Sequence, residues 1–176
     1  DRELVANQKA EGDSLYKTAY AKSEDFDLQP AIDGLALTAQ KYSGPFRSKL
    51  LEALDLFRNP MPVNSRWSIN TVERFDAAKQ QLDDLIEGSK VQGKATNLTR
   101  LLKQFKDALL YRVHEPNAKG IPTKNAVYSE ARAAWGSAAE NREAIELGRK
   151  ALREDSEVSV EQFSELTEAQ QKLFRL

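Results

Sequence analysis

The side chains able to do covalent or metal chemistry are few in this chain. It has one histidine, His114, and no cysteine. That removes disulfides, thiolate zinc sites and cysteine nucleophiles. A single imidazole cannot build a multi-histidine metal centre, and the Glu-x-x-His pairs of di-iron bundles are excluded on the same count. His114 precedes Glu115-Pro116 at the end of a helical stretch. A cation there meets the negative end of the helix dipole, so a capping role is the expectation. No Gly-x-Ser-x-Gly elbow offers a serine nucleophile. Asp83-Asp84 is a carboxylate pair, but neighbours on a helix diverge by about 100° and do not converge on one ion. Glu154-Asp155-Ser156-Glu157 lacks the spacing of a calcium loop, and neither glycine-rich phosphate motif occurs. No glutamate stands in a recognisable glycosidase context. The expectation is therefore no catalytic residue, no metal and no cofactor.

Charge is the remaining functional signal. Lys and Arg number 26 against 27 Asp and Glu, giving −1, which argues against a nucleic-acid binder working by bulk charge. The balance is uneven along the chain. Lys90, Lys94, Arg100, Lys103, Lys106 and Arg112 face a single carboxylate, Asp107, within their stretch. Glu154, Asp155, Glu157, Glu161, Glu165 and Glu168 form an acidic counterpart without a cation. The basic stretch reads either as a surface for phosphates or acidic partners, or as a solvated helix face answered by the acidic stretch. Outward aromatics interleaved for base stacking are lacking, which favours the second reading. Trp67 stands apart in a proline-rich segment, where it either pins that segment or faces a partner.

Helices must position these residues. Apolar residues recur at helical spacing, without a convincing strand alternation. A first segment, 2–22, carries Leu4, Val5, Gln8, Leu15, Ala19 and Tyr20 on one face, with an interruption expected at Gly12-Asp13-Ser14. A short helix over 28–40 starts with Pro30 in its first turn. After the Ser43-Gly44-Pro45 turn, Phe46, Leu50, Leu54 and Phe57 repeat at amphipathic spacing. Asn59 to Ser68, with Pro60 and Pro62, is the expected crossover. Ser68 or Asn70 is placed to cap the next helix, with Val72, Phe75, Leu82 and Ile86 inward. Thr96 or Asn97 opens a further one, with Leu98, Leu101, Leu102, Phe105, Leu109 and Val113 as its stripe. The short connection between these two predicts a central antiparallel hairpin. Tyr128, Ala131 and Trp135 lie on a following helix that Gly136-Ser137 breaks. Residues 141–153 continue helically, and capping signatures recur at Ser159–Gln162 and Thr167–Gln170. The expected fold is all-α: an irregular bundle of about seven helices, one domain over 1–176, subdivided if anywhere near 59–68. Leu82, Leu101, Phe105, Leu109 and Trp135 are the expected core.

No apolar run reaches the roughly 20 residues of a membrane span. Asp1-Arg2-Glu3 is no signal peptide. The missing initiator Met and the apolar ending, Leu173-Phe174-Arg175-Leu176, lead to the expectation of a piece of a longer polypeptide.

Four segments, in order, carry a resemblance: 15–20 (LYKTAY), 77–86 (AAKQQLDDLI), 128–135 (YSEARAAW) and 144–152 (AIELGRKAL), with 173–176 (LFRL) downstream. The chain resembles a helical region of large phage and prophage virion-associated proteins of the internal, ejection type, from about Tyr16 to its end. The resemblance implies a non-enzymatic structural module within a virion, or in the host cytoplasm before assembly. Its partners would be other virion proteins or further copies, with a weak DNA contact through 90–112, or a non-catalytic place in a larger phage enzyme, as the alternatives. No small-molecule ligand is implied. The crossover 59–68 and the helix containing Gly34 have no counterpart in that pattern.

Overall fold

The computed structural model describes residues 2–58 and 71–136, and the side chains of 2–5 and of 8 lie outside that description. Five helices are complete: α1 (Arg2–Ala21), α2 (Gln29–Ala39), α3 (Gly44–Arg58), α4 (Val72–Gly88) and α5 (Asn97–His114). A sixth, α6, is described over 126–136. Among the described residues there is no strand, only an isolated bridge between Val91 and Lys94. The all-α class is as the periodicity predicts. The chain divides into two compact units, Ala19–Ala126 and Asp1–Thr18 with Val127–Leu176. The division thus falls at 18/19 and 126/127 and not near 59–68. That crossover with Trp67, the break at Ser137, the helix expected over 141–153, both late capping signatures and the acidic stretch lie outside the described residues.

Within unit Ala19–Ala126, α2 to α5 bury an aromatic cluster. Phe57 stands 5.9 Å from Phe75 and 5.6 Å from Phe105, the latter edge to face. Phe26 meets Phe75 edge to face at 5.8 Å. Such tilted contacts suit the ring quadrupole. Leu50, Leu54, Leu82, Leu102, Leu109 and Val113 complete a core closed to solvent. Phe26, half-buried between the exposed Asp25 and Asp27, packs on the edge of that core through Phe75.

Local chemistry fixes the helix ends. Neither Ser68 nor Asn70 caps α4: Thr71 does, its side chain accepting from the Arg74 N–H. A second orphan donor, the Val72 N–H, is taken by Ser23 Oγ at 2.9 Å, 49 residues upstream. α5 begins with a reciprocal capping box between Thr96 and Thr99. Ser89 Oγ lies 2.7 Å from Thr99 Oγ1, and the Thr96 hydroxyl donates to the Ser89 carbonyl, joining the end of α4 to the start of α5. Between them Gln92 and Gly93 both take positive φ, as a tight I′-like turn requires.

The C-terminal end of α5 differs from expectation. His114 is buried, and its Nδ1 lies 3.2 Å from the Lys124 carbonyl, while Glu115 in the left-handed region forms the cap. The histidine thus packs against the returning 115–125 loop. Asn125, also left-handed, closes that loop. Its amide reproduces strand-like pairing with Glu24: Oδ1 accepts the Glu24 N–H at 2.8 Å and Nδ2 donates to the Glu24 carbonyl at 3.3 Å. Nδ2 also donates to the Val113 carbonyl, and the Asn125 N–H donates to the Glu24 carboxylate.

In the other unit, α1 runs unbroken through Gly12. The expected interruption is absent because Gly12 serves packing: a Cβ there would stand 2.9 Å from Trp135 Cδ1 and Nε1. Tyr16 and Tyr128 meet edge to face at 6.1 Å, and the Arg132 guanidinium lies over the Tyr128 ring.

Candidate functional site

The basic stretch is the place to begin, because α5 carries four of its six cations. They spread around the helix: each step of three residues turns the side chain by about 60°, and Arg112 lies about 120° from Arg100. Lys106 faces α4 and pairs with Asp83, whose other oxygen accepts Lys79 Nζ at 2.8 Å. Burial alone would raise the Asp83 pKa. Hydrogen bonds from Lys106 and Lys79, together with their two charges, outweigh burial and hold the carboxyl below its usual range. Lys90 pairs with Glu87 at 2.7 Å. The Arg112 Nε–H donates to the Asp27 carbonyl at 2.9 Å. Arg100 bonds the Asn97 amide beside it. Lys94 and Lys103 are exposed and make no ion pair among the described residues. The six therefore do not form one basic face, and Trp67 lies outside the described residues.

A different surface collects open apolar atoms. Between α2 and α5 runs a groove of about 190 Å³ lined by Pro30, Ala31, Gly34, Leu101, Phe105 and Ala108, among others. Small residues make it: the Gly34 Cα faces open space, so a Cβ there would touch nothing. Leu101, expected in the core, is instead half-buried in this groove. Periodicity places it inward, but α2 presents too little bulk opposite it to exclude solvent. Leu37 on α2 is 63 % exposed and Tyr111 on α5 is 57 % exposed. The Arg112 bond to Asp27 sets the two helices running opposite ways, so Pro30 lies toward Ala108 and Thr38 toward Leu101.

Sequence reading missed this surface because its signal is the smallness of Ala31, Gly34 and Ala108. Small residues break a stripe in a hydropathy pattern and so look like weak helix. Among the described residues no group of three or more His, Asp or Glu could hold a metal ion. No described helix is long and apolar enough to cross a membrane. The groove is lined by apolar side chains with Thr38 and Gln104, and brings no nucleophile and base together. Set against protein-family models, curated proteins and solved structures, the chain matches none of them.

Proposed function

We propose that this chain is a non-enzymatic assembly module of a phage or prophage virion protein, acting through helix-mediated contacts with other copies or other particle proteins. The observation that carries the docking part is the α2–α5 groove, lined by Pro30, Ala31, Leu35, Leu101, Phe105 and Ala108 among others. A contiguous apolar concavity of this kind is an ordinary seat for a partner helix. The virion setting rests on the four ordered segments that resemble internal virion proteins. Nucleic-acid contact through 90–112 is the weaker reading, since Lys90 and Lys106 are neutralised by carboxylates and Arg112 is tied to a carbonyl.

Mass spectrometry of purified particles from a producing lysogen tests the setting. Peptides of this chain in the particle are the expected result, and their absence overturns it. Cross-linking from a Gly34→Cys variant inside such particles tests the docking role, with products to a virion protein expected. Turnover of peptidoglycan by the isolated chain would overturn the non-enzymatic reading.

A further inference from the structure

Residues 23–28 join α1 to α2 without regular structure. Among the described residues, no main-chain group of 24–27 bonds another main-chain group. Backbone donors and acceptors need partners all the same, and side chains from the end of α5 and its loop take several of them. Arg112 donates to the Asp27 carbonyl at 2.9 Å, and Lys124 Nζ donates to the Asp25 carbonyl at 3.4 Å. Glu24 is served on both sides by Asn125. The stretch is thus held as a bound peptide is held, by side chains of another segment.

Asn125 is built for this place. It is buried, with φ at 51°, a conformation that asparagine tolerates better than most residues. Its Oδ1 accepts the Glu24 N–H at 2.8 Å. Its two Nδ2 hydrogens go to the carbonyls of Glu24 and Val113, at 3.3 and 2.9 Å. Its own N–H donates to the Glu24 carboxylate at 2.6 Å. One residue therefore joins 24–27, the last turn of α5 and the returning loop.

Apolar packing adds little to that hold. Phe26 is the one apolar side chain of 24–27, half-buried with its ring against Phe75. Leu50, Leu54, Leu82 and Leu109 close the core from the helices alone. Segments with few buried apolar contacts open at a lower free energy than the whole fold. We propose that 24–27 is a strap locked by Asn125, and that it opens together with 123–125 while α2 to α5 stay folded. Opening bares the part of Phe75 that Phe26 meets. This holds whether or not the chain serves assembly.

Amide hydrogen exchange of the full chain, followed by NMR in urea below the unfolding transition, tests it. The N–H groups of Glu24, Thr123, Lys124 and Asn125 should share one exchange free energy that urea barely changes, because their opening exposes little surface. The amides of Leu54, Leu82 and Leu109 should exchange more slowly and become faster as urea rises. Asn125→Gly keeps the positive φ and removes the three side-chain bonds. It should speed exchange at Glu24, Thr123 and Lys124 by at least about tenfold, with helicity retained in circular dichroism and the core amides still slowest. Asn125→Asp keeps the shape, loses both donors and sets a second carboxylate beside that of Glu24, so it should do the same. Strap amides with the free energy and urea slope of the core overturn the proposal. So do variants whose strap exchange is unchanged, or whose helices unfold along with the strap.

Discussion

α5 presents two flanks that solve opposite problems. Toward α4 it is closed: Lys106 and Lys79 share Asp83, and Phe105 and Leu109 reach a core without solvent. Toward α2 it is open: Leu101 is half-buried and Ala108 exposed along a groove. One helix thus puts a paired lysine and fully buried side chains on one side, and leaves a partly solvated groove on the other. Net charge along a sequence therefore says little about surface charge. Two of the six cations of the basic stretch, Lys106 and Arg112, are taken up in tying one element to another.

The contrast can be broken most forcibly on the closed side. Phe105→Ala removes a ring from the Phe57 contact and should cost about 3–5 kcal/mol in urea denaturation. A wild-type midpoint would mean that the α5 phasing is wrong. Leu101→Ala, half-buried in the groove, should cost distinctly less, about 1–2 kcal/mol. An equal loss at both positions would erase the distinction between the flanks. Asp83→Asn should lose about 1 kcal/mol at neutral pH, a modest figure because the cluster is partly exposed. Its pH dependence has a definite sign. The folded-state pKa is depressed, so the stabilisation is present above the unfolded carboxylate range and lost as pH falls through the lower folded value. Wild type and variant should therefore converge in acid, and a gap that persists there would assign the effect to packing. Gly34→Ala is the smallest change and has the opposite direction. Its Cβ meets nothing, so improved helix propensity should raise stability by about 0.5–1 kcal/mol. A loss would show that α2 is closed over at that point.

The helices themselves were legible from apolar periodicity. Leu50, Leu54, Phe57, Leu82, Phe105 and Leu109 are buried as their spacing predicts. What failed depended on contacts distant in sequence. Gly12 looked like a helix breaker and is a packing glycine, because the residue that explains it, Trp135, is more than a hundred positions away. Phe26 lies between Asp25 and Asp27, outside any apolar stripe, yet it packs against Phe75. Thr71, one residue past the predicted caps, was chosen by where the backbone turns. The groove was illegible for a related reason, since a pocket is made by residues that are missing bulk.

The Glu24–Asn125 clasp has a consequence for how the chain could be rearranged. Its partners are 101 residues apart, yet they bond through main chain and side chain at one place. Closing so long a loop is entropically costly, so the clasp depends on the intervening helices to bring its two ends together. It holds the incoming and outgoing chain segments of unit Ala19–Ala126 side by side, near its boundaries. That is the geometry of an inserted cassette, whose two ends meet at a single point on its surface. Chain ends that meet in this way are what tolerance of insertion and permutation depends on.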